Sequence, residues 1–368
     1  MMKQLVIACM ASMCVLLPLQ AQQKTYKEKQ PYKNWVRIAP RFDDEFFKTE
    51  EAVRIGDNVL LYQHTTGGWP KDIYMAAELS KEERKAVKKA KNDVNESTID
   101  NGATSTEIRY LSRLYLATGA KKYKEAALDG IRYILKSQYA NGGFPQFWPR
   151  PEGYYTHITY NDNAMVNVLK LLREVYEKQA PYTYVPDELC EAARTAFDKG
   201  VECILNTQVK KDGKLTVWCA QHDEHTLLPA KARAYELPSL SGQESDGIVL
   251  LLMSLPNPSQ RVLDAIEGAV AWFQSSQIDG LTREFYTNDE GKRDYRMVPC
   301  KEGEKCPPLW ARFYTLEDNR PFFCDRDGIK KYDLSEIGHE RRTGYSWYNN
   351  DGAKVLREYQ KWKKKWGK

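Results

Sequence analysis

"QHTTGGWP" (63–70) and "QYANGGFP" (138–145) carry Gln, Gly, Gly, an aromatic ring and Pro at identical offsets. Weaker copies begin at Gln208, "QVKKDGKL", and at Gln277, "QIDGLTRE", so the four glutamines stand 75, 70 and 69 residues apart. The last three each close a run with apolar residues at three- and four-residue steps: "ALDGIRYILKSQ", "AFDKGVECILNTQ" and "AIEGAVAWFQSSQ". That spacing marks a helix with one buried face. Further helices are expected between these, in "STEIRYLSRLYLATG", "AMVNVLKLLREVYE" and "DGIVLLLMSL". The unit is therefore helix, short loop, helix and Gly-rich turn, and so long a period indicates a helical array. The expected fold is all-α: an α/α toroid of three helical-hairpin repeats, with long irregular loops lining a central cleft. From Pro299 to Arg342 the periodicity stops and the chain becomes aromatic, basic and loop-like, a kind of segment more often functional than filler.

The composition of the 368 residues, 42% hydrophobic and 29% charged, is that of a soluble globular protein. A net charge of +5 suits an acidic ligand without identifying one, and the 23 Tyr and 9 Trp suit sugar faces or a large core alike. The basic clusters "KKYKEAA" and "KWKKKWGK" are too few for a nucleic-acid binder. "MMKQLVIACMASMCVLLPLQAQQK" has one Lys, an apolar run and a small residue at Ala21, the pattern of a secretory signal. The expected division is a signal peptide over 1–21 and a single domain over 22–368, secreted or periplasmic, monomeric and without a membrane span. A lipoprotein signal through Cys9 would need an unusually short apolar core. Of the six remaining cysteines, Cys300 and Cys306 are the pair expected to join, across "CKEGEKCPP", and none has the CxxC spacing of a zinc site.

An acid sits beside an amide at two expected helix starts, in "TIDNGATSTEIRYL" (98–111) and "ITYNDNAMVNVL" (158–169). Such pairs are ordinarily N-caps, whose side-chain oxygens accept from the first turn's free amides. Two of them facing one cleft would instead be ligands for a cation or a sugar.

With these two stretches, "YANGGFPQFWP", "PAKARAYELPSLSG", "WARFYTLEDNRPFFCDRDG" and "GYSWY" complete an ordered set of blocks over roughly 50–350. In them the chain resembles the polysaccharide lyase family 10 pectate lyases. The resemblance implies an α/α toroid, Ca2+-assisted β-elimination of polygalacturonate, an acidic polysaccharide, and an arginine as the base. That reaction removes the C5 proton beside a carboxylate and expels the C4 oxygen, so the carboxylate's charge must be neutralised as the carbanion develops. A hard cation on oxygen ligands does this. Asp100 and Asp162 are the implied metal ligands, with Asn101 and Asn163 as amides beside them and Asn101 also a substrate contact. Arg233, in "KARAYE", is the implied base, although arginine is effectively always protonated and Lys231 is the more intuitive choice by pKa. Arg312, Arg320 and Arg326 are the implied forks for galacturonate carboxylates. Trp69, Phe144, Trp148 and Tyr235 are placed either on sugar faces or in the core.

"QHDEHT" (221–226) sets His222 and His225 among two acids, half of a metal site with no third ligand at a sensible spacing. Phosphate-binding loops and nucleophile elbows are absent. Two other functions fit the same residues. A toroidal glycoside hydrolase would use Asp100 and Asp162 as its carboxylate pair, and a non-catalytic pectin-binding protein would keep the arginines without needing the base.

Overall fold

The computed structural model describes residues 33–150 and 152–366, so the expected signal peptide lies outside the described residues. Eleven α-helices are described: α1 (Lys33–Ile38), α2 (Glu50–Tyr62), α3 (Lys81–Ala90), α4 (Ser105–Thr118), α5 (Lys121–Ser137), α6 (Ala164–Tyr176), α7 (Asp187–Thr207), α8 (Glu244–Met253), α9 (Gln260–Ser275), α10 (His339–Gly344) and α11 (Gly352–Trp366). The pairs α4–α5, α6–α7 and α8–α9 are the three expected hairpins. Burial separates their members into two layers. In α6, eight residues from Ala164 to Val175 are buried, on nearly every side. In α5 the buried residues, among them Tyr123, Ala127, Ile131 and Ile134, fall at three- and four-residue steps along a stripe. The first helices α4, α6 and α8 touch in succession, and so do α2, α5, α7 and α9, the helices that run up to the repeated glutamines.

The repeated glutamine joins one unit to the next. Gln63 Nε2 donates to Gly67 O within its own turn and to Ala126 O in α5, both at 2.9 Å. Gln138 does the same with Gly142 O and Ala196 O, at 3.0 and 2.8 Å, and Gln208 with Thr216 O and Ala265 O, at 2.8 and 2.9 Å. Gln277 has no following unit of this kind, and among the described residues its side chain donates only to Asp279. The turn glycine is set by the same contact: Gly142 has φ +90°, and a Cβ there would stand 2.0 Å from Lys199 O in α7. The buried ring repeats too. The indoles of Trp69, Trp218 and Trp310 donate to Val59, Ile204 and Phe273 O, each carbonyl four residues before its unit's glutamine.

The fold is mostly helical, but not free of strands. Six two-stranded antiparallel ladders occur among the described residues. Most have two residues per strand; the exception is a hairpin of Leu281–Thr287 on Arg293–Pro299. The Thr, Phe, Tyr and Val flanking the turn "NDEGK" are a strand signal that the helical period of the preceding units obscures. The stretch after Pro299 is largely irregular, as expected, and is tied down by two-residue ladders, among them Trp310–Ala311 on Tyr348–Asn349 and Phe313–Tyr314 on Leu240–Ser241. Cys300 and Cys306 form a disulfide, and Cys190, Cys203, Cys219 and Cys324 are free and buried. No described helix is long and apolar enough to cross a membrane.

Candidate active site

Each unit sends two short segments to one place. The first follows the buried ring: Lys71, Gln146 and Arg312 come two residues after Trp69, Phe144 and Trp310, and Gln221 comes three after Trp218. The second precedes the first helix: Asp100 and Asn101 before α4, Asn161 and Asp162 before α6, Gln243 before α8. All of these line one cleft of about 430 Å3, together with Arg233, Glu236 and Tyr345.

Neither acid–amide pair caps a helix through its side chains. Thr104 and Asn163, the amide beside Asp162, hold the N-cap positions of α4 and α6 without a side-chain cap bond, and neither Asp100 nor Asp162 accepts one. Each pair instead forms a tight turn containing a left-handed residue, Asn101 at φ 52° and Asp162 at φ 51°. Backbone of that kind is retained where the surroundings over-determine it, frequently at functional sites. Here it turns the carboxylates into the cleft.

Asp100 is 2% exposed. Its Oδ2 is ion-paired with Lys71 Nζ, while its buried Oδ1 has no hydrogen-bond partner. Gln146, Gln221 and Gln243 each leave a buried side-chain oxygen unpartnered on the same cleft. Unsatisfied buried oxygens are costly; hard oxygen donors such as these suit a Ca2+-sized cation. Asp162 is more open: its Oδ2 accepts from Asn161 Nδ2 at 2.8 Å, and Arg312 Nη2 stands 3.9 Å from Oδ1. Burial pushes the Asp162 carboxyl above its ordinary value with help from the Asp100 charge, against the pull of Arg312, Arg233 and Lys71.

Arg312 is withdrawn from solvent. One Nη donates to Glu244 Oε1 at 2.5 Å and to Asn161 Oδ1 at 3.0 Å, and Tyr345 packs on its guanidinium at 4.4 Å. Arg233 is different. Its side chain is 42% exposed, while Glu236, which binds it, is 8% exposed. Arg233 Nε donates to Glu236 Oε2 at 2.8 Å and Nη2 to Oε1, and Tyr345 Oη donates to Oε1 at 2.8 Å. The fork is thus held through Nε and Nη2, and Nη1 makes no hydrogen bond among the described residues. Burial works against the Arg233 cation, but bonding and charge from Glu236 outweigh it and hold the guanidinium above its already high ordinary value.

The remaining expected residues lie elsewhere. Asn101 lines the cleft, where its Nδ2 donates to Asp72 Oδ1 at 3.3 Å. Arg326 lies outside the lining, its fork on Glu340 at 3.2 and 3.0 Å, and its guanidinium 5.9 Å from the Tyr235 ring. Arg320 also lies outside it, stacked on Tyr332 at 3.7 Å. Trp69, Phe144 and Tyr235 are core residues, at 0%, 0% and 4% exposure, so the rings at the cleft are Tyr154 and Tyr345. His222 is buried with both nitrogens engaged, Nε2 by Cys219 N–H and Nδ1 by Leu227 O. The metal-like trio among the described residues is His157, Asp223 and Glu224, outside the cleft lining, and Asp223 Oδ1 is already taken by the Thr226 turn. Lys71, Glu236, Glu244 and Tyr345 were not expected. The repeat could have located Lys71, since it aligns with Gln146; the other three take their roles only from contacts across the fold.

The family model for pectic acid lyase matches residues 63–356. Among solved structures, a family 10 polysaccharide lyase from Cellvibrio cellulosa is 37% identical, with 90% of this chain and 96% of that one covered, at a TM-score of 0.72. An alanine mutant of a family 10 polysaccharide lyase from the same organism, in complex with trigalacturonic acid, is 36% identical over 94% of this chain and 98% of the other, at a TM-score of 0.71. No curated protein matches the chain.

Proposed function

We propose, for a chain that belongs to the pectic acid lyase family, that its cleft cleaves polygalacturonate by β-elimination. The observation that carries this reading is the convergence of Asp100, Asp162 and Arg233, from different units, on one cation-lined cleft with an orphaned carboxylate oxygen. In the reaction Arg233, once it has lost a proton to solvent, takes the C5 proton at Nη1 and returns to the guanidinium. The C–H electron pair forms the C4=C5 double bond, and the C4–O bond breaks, its oxygen leaving as a hydroxyl with a proton from solvent. Glu236 fixes the plane of the Arg233 fork so that Nη1 is the nitrogen presented. Its charge also opposes loss of the arginine proton, while Lys71 and Arg312 favour that loss. Asp100 and Asp162 would hold Ca2+, with Asn101 beside them. When bound, the ion neutralises the substrate carboxylate as charge builds at C5. Arg312 supplies a fixed cation deep in the cleft, and Arg326 and Arg320 extend the cationic set outside it.

The two concentric helix layers are read as an α/α toroid, a single catalytic domain over 22–368, monomeric, and exported by the leader at 1–21. Hydrolysis is the second reading, favoured by the raised Asp162 carboxyl, which a general acid requires. Ultraviolet absorbance with polygalacturonate, first with Ca2+ and then with a chelator, separates the two. The expected result is a rise from the conjugated double bond that the chelator abolishes. New reducing ends without absorbance would mean hydrolysis, and neither signal with retained polymer binding would mean a binding protein.

A further inference from the structure

The cleft does not end at its Tyr345 wall. A second groove, of about 500 Å3, lies against the same Gly344, Tyr345 and Ser346, which line both spaces. Its opposite wall is the long hairpin, in which Phe285 pairs with Tyr295 and Thr287 with Arg293. Side chains alternate along a strand, so Arg283 and Phe285 share a face with Tyr295 and Arg293 across the ladder. All four line the groove. Phe285 is 54% exposed, an unusual place for a large apolar ring. Arg293 stands 4.4 Å from the Phe285 ring and Arg283 5.6 Å from that of Tyr295.

The charges on this wall are unbalanced. Lys292 and Arg296 are paired with the hairpin's own Glu290 and Glu284. Asp294, the acid lining the groove, gives both oxygens to Arg342, at 2.9 and 2.6 Å. Among the described residues neither Arg283 nor Arg293 has a carboxylate partner. Arg283 is anchored through one Nη to Tyr348 O, which leaves its other donors free.

Resting on the pectate lyase reading, we propose that this groove is a distal subsite that holds further uronate residues of a polymer already seated in the cleft. Arg283 and Arg293 bind carboxylates and Phe285 covers an apolar sugar face. The subsite gives the enzyme a preference for long chains over short ones.

The test compares kcat/KM on trigalacturonate and on polygalacturonate for the wild type, Arg293→Ala and Phe285→Ala. Both positions are exposed, and neither lines the catalytic cleft. The expected result is a loss of roughly tenfold on the polymer for Arg293→Ala, carried by KM, the size of one lost charged contact. Trimer turnover stays at the wild-type value, which also shows the fold to be intact. A polymer-to-trimer ratio that neither variant changes overturns the subsite while leaving the lyase reading in place. A wild type that forms no unsaturated product from either substrate overturns both.

Discussion

Arg233 reaches the cleft as a guanidinium with Nε and Nη2 committed to Glu236. That arrangement orients the third nitrogen and at the same time stabilises the cation, so position and basicity pull in opposite directions. Arg233→Ala removes both and is expected to lower kcat by about 10²–10⁴-fold, the usual worth of a positioned proton acceptor, with polymer binding largely retained. Full activity in that variant would remove Arg233 from the chemistry. Glu236→Gln divides the two roles. Without the carboxylate charge the Arg233 proton is held less tightly, so the alkaline rise of kcat/KM should begin at lower pH, even if disorder of the fork reduces the maximum. A lower maximum with an unmoved profile would make Glu236 a positioning residue alone. Asp162→Asn keeps the shape of the turn and removes one anionic oxygen. The Ca2+ concentration needed for half-maximal turnover should then rise by tenfold or more; an unchanged response would place the ion elsewhere.

At the scale of elements, the repeated glutamine does more than mark a period. Gln63, Gln138 and Gln208 each tie a turn to the middle of the next unit's second helix, and Gln277, with no such unit to reach, lies on the surface. Gln63→Ala removes two buried hydrogen bonds, to Gly67 O and to Ala126 O, and should cost about 2 kcal/mol of unfolding free energy. Gln277→Ala should cost less than about 0.5 kcal/mol. Equal losses in chemical denaturation would mean that the glutamines are not the connectors. The helices and their pairing into hairpins were legible because each follows from a period in the chain; the Gly-rich turns, expected to line the cleft, pack instead on the neighbouring helices, Gly67 against Asp129 and Gly142 against Lys199. That Asp100, Asp162, Arg233 and Arg312 share one cleft was legible through whole-block resemblance. What stayed hidden depends on distance in space: Glu236 reads as one more acid until it stands under Arg233, and Glu244 as the start of a helix until Arg312 reaches it. The long hairpin was missed because a two-residue alternation was laid over an expected seventy-residue unit.

For the molecule as a whole, three buried groups contribute to the pH dependence of stability with opposite signs. Burial lifts the Glu107 carboxyl to about 7 from an ordinary 4.5, even though Trp35 Nε1 donates to it at 2.7 Å, and its other oxygen has no partner. Burial, with Asp351 adding to it, lifts Asp246 to about 6. His222 moves the other way, to about 4, because burial holds it neutral. An acid with a raised folded pKa binds more protons folded than unfolded, so the stability it contributes is complete below its unfolded pKa and is lost as pH rises through the folded one. Glu107 therefore weakens the fold progressively between about pH 4.5 and 7, and Asp246 does so between about 4 and 6. A histidine with a lowered folded pKa has the opposite effect, strengthening the fold as pH rises from about 4 to 6.5. These contributions overlap in the wild type with those of other shifted carboxylates, such as Asp294 and Glu340, so the decisive quantity is a difference. Glu107→Gln keeps an acceptor for Trp35 and abolishes the charge. Its gain over the wild type should be absent below about pH 4.5, grow through pH 7 and then level off at roughly 3 kcal/mol, at about 1.4 kcal/mol for each pKa unit. Chemical denaturation of both proteins from pH 4 to 8 measures it. A difference that does not change across that range would mean that Glu107 stays ionised in the folded core, and that the tie from α4 to Trp35 is made by a carboxylate and not by an acid.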